Sequence, residues 1–239
     1  MSIESTTSTE STGSTILGQP VRVYTWTTRS VYFGEKRWSR GVTKVVKKVF
    51  APGFRFKKLK RGQYVPGLPK RQAIRRGHAI DRVLHQWASG LSIGRSRIRE
   101  PKTVIQTFEA LGWVPVQSQL TVAWPEARIA TKIDLVLYDP ENNKVIVVEM
   151  KSGCGYRRNS HGTLRHIVPK VSNAPLHSHQ LQAAIGKELL ARTYSEWARG
   201  DIECVLVYVS PDCEVEMIRE SDFTVVYTPT IETILLNTA

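Results

Sequence analysis

Ile80, Val83, Leu84 and Trp87 fall at the i, i+3, i+4, i+7 spacing of one buried helical stripe, which predicts a helix over residues 70–89. A weaker helical pattern covers 101–111. Three segments of strand-like length follow, 114–124, 131–138 and 144–150, and the last two flank Asp139-Pro140-Glu141-Asn142-Asn143, a strong turn composition. An antiparallel meander is therefore expected. Leu181, Ala184, Ile185 and Leu189 mark a further helix over 178–194, after which 202–210 reads as a buried strand and 215–227 as an edge hairpin. Upstream, the runs VRVYTWTT, SVYFGEKRW and TKVVKKVF are broken by Gly34, Gly41 and Pro52-Gly53, a pattern of short strands or extended arm. The Ser/Thr-rich start of the chain predicts disorder.

Composition fixes the class without naming a function. With 41% hydrophobic residues over 239 positions, the chain is able to bury a real core. No run approaches the roughly 18 apolar residues of a membrane span, and the N-terminus carries neither an apolar signal core nor an Arg-rich transit pattern, so a soluble, intracellular protein is expected. Cys154, Cys204 and Cys213 show no CxxC pairing, which argues against a disulfide framework or a thiolate zinc site.

Charge changes the picture more. Of 34 Lys and Arg, sixteen lie in residues 29–76 beside a single acid, Glu35, while the rest of the chain is slightly acidic against an overall +13. The chain thus divides into a mostly disordered tail (1–28), a basic arm (29–76) and a core domain (77–239). A concentrated basic segment suggests a polyanion partner, DNA first and RNA as its alternative. No amphipathic basic helix supports a membrane surface. Lys57, Lys58, Lys60, Arg61, Arg75 and Arg76 of the arm, with Arg157 and Arg158 of a later loop, are the candidate phosphate contacts. Tyr32, Phe33, Trp38, Phe54, Phe56 and Tyr64 interleave with the arm's cations; stacking on bases is one use for them, core packing the commoner one.

The chemistry is expected in the meander. Alternation puts Asp134, Val136 and Tyr138 on one face, and Val145, Val147, Glu149 and Lys151 on one face of the next strand. If Tyr138 pairs with Val145 across the turn, Asp134 stands opposite Glu149. Opposed carboxylates in apolar strands need a compensating cation, which a divalent metal plus the Lys151 ammonium supplies. Hard carboxylate oxygens suit Mg²⁺ or Mn²⁺, and a metal beside a lysine suits phosphodiester hydrolysis. A surface hairpin with an exposed Glu149–Lys151 pair is the blander alternative, and the apolar run before Glu149 weighs against it. On the first helix, Gly77, His78 and His85 lie on the same flank as Asp81. His161, His166, His177 and His179 show no regular metal-ligand spacing, and no GxxxxGK[ST] element is present.

Asp134 followed by Glu149-Met150-Lys151 resembles the D…(D/E)xK signature of the PD-(D/E)XK nuclease superfamily, and the predicted element order is similar to its αβββαβ core. Gly77 with Asp81 four residues on, the Ile133-Asp134 pair and the Gln180-Leu181 pair resemble motifs of its RecB-like, phage lambda exonuclease-like branch. Two positions depart from the branch: Asp81 stands where His is frequent, and Ala184 where Tyr is frequent. The resemblance implies an α/β fold of the restriction endonuclease type, with a mixed central sheet flanked by helices and preceded here by the basic extension. It implies that Asp81, Asp134, Glu149 and the Met150 main-chain carbonyl ligate Mg²⁺ or Mn²⁺, that Lys151 is catalytic, and that Gln180 steadies the site. The activity implied is a metal-dependent nuclease, foremost a DNA exonuclease. The alternatives are an endonuclease of the same fold, structure-specific or nonspecific, and a non-catalytic nucleic-acid-binding module. A homo-oligomer or a replication or repair protein is the further partner implied.

Overall fold

The computed structural model describes residues 15–16, 19–20, 25–27, 30–33, 36–38, 40–43, 45–46, 70–93, 98–152, 175–197, 200–223 and 231. Near the N-terminus β1 (Thr15–Ile16) pairs with β2 (Gln19–Pro20), and β3 (Thr25–Thr27), β4 (Ser30–Phe33) and β5 (Lys36–Trp38) form an antiparallel three-stranded sheet. The pairing of β1 and β2 falls within the Ser/Thr-rich tail.

The predicted helix forms as α1 (Lys70–Ala88), with Ile80, Val83 and Leu84 buried. Burying each such side chain contributes about 1.5–3 kcal/mol. α2 (Glu100–Ala110) opens with Glu100 and Pro101 in its first turn, both suited to a helix start, and Gly112 follows its end at φ +71°. Next come β7 (Val114–Trp124), β8 (Ile129–Asp139) and β9 (Lys144–Ser152), paired antiparallel in sequence order. α3 (Pro175–Thr193) crosses over to β10 (Asp201–Val209), which runs parallel to β9, and β11 (Val215–Arg219) returns antiparallel at the edge. Parallel pairing requires a crossover of this length, and α3 supplies it.

The core is thus α/β, with a five-stranded mixed sheet in the order β7-β8-β9-β10-β11 flanked by helices. α1 and α2 cover one face through Ile80, Leu84 and Phe108 against Leu135, Leu137, Ile146 and Val148. α3 covers the other through Leu181, Ile185 and Leu189 against Val136, Val145 and Val147. Of the predicted edge hairpin, residues 215–219 form the strand. Cys204 and Cys213 are free thiols. Among the described residues no helix is long and apolar enough to cross a membrane.

The turn between β8 and β9 fixes the register on which the site depends. Asp139 is buried and accepts the backbone N–H groups of Glu141 and Asn142, both at 3.1 Å, and the indole N–H of Trp113 at 3.2 Å. Burial opposes its charge, but these donors and the Asn142 amide outweigh it and hold the carboxyl below its ordinary range.

The basic segment reaches into this core. β6 (Arg40–Gly41) pairs parallel with Ile129 and Ala130 of β8, opposite β7 and on the edge that β9 takes further along, and Val42, Val45 and Val46 are buried. The boundary at residue 77 falls inside α1, whose first residue is Lys70.

Candidate active site

The register of the β8–β9 hairpin is the one the turn predicts: Tyr138 pairs with Val145, and the ladder continues to Leu135 opposite Val148, where it ends. Asp134 and Glu149 are the next residues on each strand, just where the strands part. The backbone N–H of Met150, deprived of its ladder carbonyl, donates to Asp134 Oδ2 at 2.9 Å. A cleft of about 320 Å³ opens at this point, lined by Asp134, Glu149, Met150 and Lys151, with Gly77 and Asp81 of α1 forming its wall. Asp81 follows Gly77 by one helical turn, so the two share a face. Glycine in mid-helix costs about 0.5–1 kcal/mol relative to alanine, and a Cβ on Gly77 meets only Ser152 Oγ, at 3.6 Å. Packing does not demand the glycine; what it leaves is open space on the cleft wall.

Three carboxylates face this space, and each is held above its ordinary range. Asp81 is pushed up to about 6, by burial first and then by Asp134. Glu149, 7% exposed, is pushed up to about 7 by burial and by repulsion from Asp134 and Asp81. Asp134 is raised by burial against the opposing pull of Lys151 and two hydrogen bonds. Lys151 forms an ion pair with Glu149. The pair expected of a bare surface hairpin is therefore present, but it is mostly buried. Among the described residues one ammonium lines the cleft beside three carboxylates, and a cation is the natural complement.

The two glutamines of α3 are placed differently. Gln180 is buried and is not among the residues lining the cleft; Gln182 is. The rotation of α3 explains the change. Gly186 lies against Val147 and Ile133 and marks the face turned to the sheet; Gln182, four residues earlier, shares that face, while Gln180 lies roughly 120° around the helix. His179 is likewise on α3, with Nδ1 2.9 Å from the Tyr208 hydroxyl. Tyr208 is the register partner of Lys151 on β10. Burial, and secondarily the Lys151 charge, push His179 down to about 3, so it stands neutral beside the ammonium. His85 leaves the flank of Asp81 to contact Ser118 Oγ of β7 at 2.5 Å. His78 is exposed.

Sequence reasoning missed Gln119. It stands opposite Asp134 in the β7–β8 register and its side chain favours the charged form of that carboxyl, and its backbone is left-handed, φ +52°, in the interior of β7. For a non-glycine residue this conformation costs on the order of 1–2 kcal/mol.

Of the candidate phosphate contacts, Lys57, Lys58, Lys60, Arg61, Arg157 and Arg158 lie outside the described residues. Arg75 is exposed on α1. Arg76 turns inward: it forms an ion pair with buried Glu100 and donates to the Pro211 carbonyl at 3.2 Å. Arg76 joins α1 to α2 and to the loop after β10. Replacing it with alanine strands a buried carboxylate, and a loss of about 3 kcal/mol is expected. Urea denaturation at pH 7 measures it, and an unchanged midpoint contradicts the structural role. Glu100→Gln is expected to cost less, because the buried charge is removed and the Arg76 guanidinium left behind is partly exposed to water.

Among the described residues no group of three or more His, Cys, Asp or Glu side chains is gathered closely enough to hold a metal ion by itself. The oxygen donors fit looser binding. Mg²⁺ usually takes only one or two carboxylates and fills its octahedron with waters and substrate phosphate. Asp134, Glu149 and the Met150 carbonyl are donors of that kind, with Asp81 across the cleft. Compared with known proteins, the chain matches no family model and no curated sequence, so the chemistry of this cleft is read from its residues and geometry.

Proposed function

We propose that the chain is a divalent-cation-dependent nuclease of the PD-(D/E)XK type that hydrolyses phosphodiester bonds in DNA, acting as an exonuclease. The observation that carries the reading is the conjunction of Asp134 and Glu149 at parting strands with Lys151 beside them and Asp81 facing them across an open cleft. The element order agrees with it, and so does the basic segment, whose residues 40–46 dock on the core that bears the site.

Asp134, Glu149 and the Met150 carbonyl hold the cation, with Asp81 reaching it directly or through water. Bound there, Mg²⁺ or Mn²⁺ polarises the scissile phosphate and lowers the pKa of a water. The chain's own residues do the rest. The Lys151 ammonium stabilises the negative charge that develops on the phosphate oxygens as water adds and the ester bond breaks. Gln182 borders the bound strand, and the basic segment holds the backbone by charge, so affinity falls with salt. His179, neutral beside Lys151, adds no competing cation.

Purified protein incubated with Mg²⁺ or Mn²⁺ and either linear or covalently closed circular duplex DNA tests the proposal. Degradation of the linear form alone is the expected result. Cutting of both forms makes the protein an endonuclease. If neither form, nor single-stranded DNA, nor RNA is cleaved under any of these conditions, the fold serves as a binding module and the enzymatic reading fails.

A further inference from the structure

We infer that Gln119 is a positioning residue that fixes the Asp134 carboxylate at the mouth of the cleft. The inference rests on the nuclease reading for what the carboxylate is aimed at, a hard divalent cation, but its evidence lies in how β7 and β8 are built.

Gln119 occupies a left-handed conformation in the interior of an eleven-residue strand, a region that strand geometry excludes and that few non-glycine residues adopt. After a bulge between Pro115 and Gln117 the ladder keeps one register from Gln117 to Trp124. Ser118 pairs with Leu135 and Leu120 with Ile133, so Gln119 and Asp134 stand opposite each other between intact pairs. Both strands change face at this point. Ser118 contacts His85 on the α1 side, while Leu120, two residues on, packs into the core beneath α3. Leu135 packs on the α1–α2 side, while Ile133, two residues back, packs beneath α3. On a regular strand residues two apart share a face. The sheet therefore reverses its pleat at the Gln119–Asp134 step, apart from the bulge between Pro115 and Gln117 earlier in β7.

The reversal has a use. It turns the Gln119 carboxamide toward its cross-strand neighbour, where it favours the charged form of the Asp134 carboxyl. The Met150 N–H donates to Oδ2, so groups from two different strands act on the carboxylate. Its remaining lone pairs serve the cleft it lines. Conformations of this cost persist where the surroundings over-determine them, and they concentrate at functional sites. His85, one turn after Asp81 on α1, contacts Ser118 beside the kink, so the helix that carries Asp81 is braced on the step that orients Asp134.

Gln119→Gly separates the side chain from the backbone, since glycine adopts the left-handed region without strain while the carboxamide is lost. Mn²⁺ binding to the full-length chain, followed by calorimetry and by the electron paramagnetic resonance of free Mn²⁺, is expected to weaken by about tenfold or more. The melting temperature in EDTA is expected to equal or exceed that of the wild type, because strain is relieved. Gln119→Asn, which keeps a carboxamide and tolerates the same backbone, is expected to recover part of the affinity. If Gln119→Gly binds Mn²⁺ as tightly as the wild type, or loses affinity together with melting temperature, the positioning role is wrong and the nuclease reading stands. A wild type that binds no Mn²⁺ overturns both.

Discussion

Lys151→Ala is expected to lower cleavage by about a thousandfold or more while DNA binding stays near the wild-type level. The asymmetry follows from how the charges are distributed. On the proposed reading binding draws on the basic segment 29–76, fifteen Lys and Arg besides the Arg76 that Glu100 claims, and one ammonium is a small part of that sum. Inside the cleft Lys151 is paired with Glu149 and pulls against the raised carboxyls of Asp134 and, after His78, of Asp81. The substitution also has a structural consequence. Glu149, already pushed up to about 7, loses its partner and is driven higher, so near neutral pH it takes up a proton instead of remaining a bare buried charge. The variant should therefore stay folded. Single-turnover cleavage of end-labelled linear duplex with Mg²⁺ and with Mn²⁺ gives the rate, fluorescence anisotropy in Ca²⁺ gives the binding, and a thermal scan checks the fold. A variant that cleaves within tenfold of the wild type removes Lys151 from the chemistry. A variant that is inactive but also unable to bind makes it a phosphate contact.

The parts of this site that were legible in the sequence are those set by local periodicity. The strong turn at Asp139–Asn143 fixes which residues of β8 and β9 are opposed, so the meeting of Asp134 and Glu149 follows from counting back along two apolar strands. The stripe of Ile80, Val83 and Leu84 fixes the rotation of α1, and with it the side on which Asp81 emerges. The parts that stayed hidden depend on contacts between distant segments. The resemblance points to Gln180, and that Gln182 borders the cleft shows only once Gly186 is seen against Val147 and Ile133. Arg76 reads as one more cation of a basic run until Glu100, at the start of the next helix, is seen to claim it. Gln119 gives no signal at all. The segment Gln117-Ser118-Gln119-Leu120 alternates like any half-buried strand, with no glycine to announce a positive φ, and the backbone pays a local cost that the site across the sheet explains.

Asp134→Asn is expected to abolish cleavage and, in the absence of metal, to make the protein more stable. The amide keeps an acceptor for the Met150 N–H and removes the charge that repels both Asp81 and Glu149. The sign follows from proton linkage. Glu149 at about 7 and Asp81 at about 6 sit above their ordinary values of 4.5 and 3.8. From about pH 4 to 7 the folded wild type therefore binds more protons at these groups than the unfolded chain does, and their contribution to stability falls as pH rises through that window. Near pH 4 Glu149 and Asp81 are largely protonated in the folded protein, and the substitution changes little. At pH 8 both are charged, their repulsion by Asp134 is felt most, and the variant should gain roughly 1–2 kcal/mol, or about 2–6 °C for a domain of this size. Mn²⁺ should invert the order, because a cation that binds only the folded wild type stabilises it by mass action and does little for a variant lacking the central ligand. Melting curves at pH 4, 6 and 8, each in EDTA and in Mn²⁺, measure all of this in one series. A variant less stable than the wild type at pH 8 in EDTA shows that the carboxylates are not in electrostatic conflict, and the strongest reason to expect a cation between them is gone.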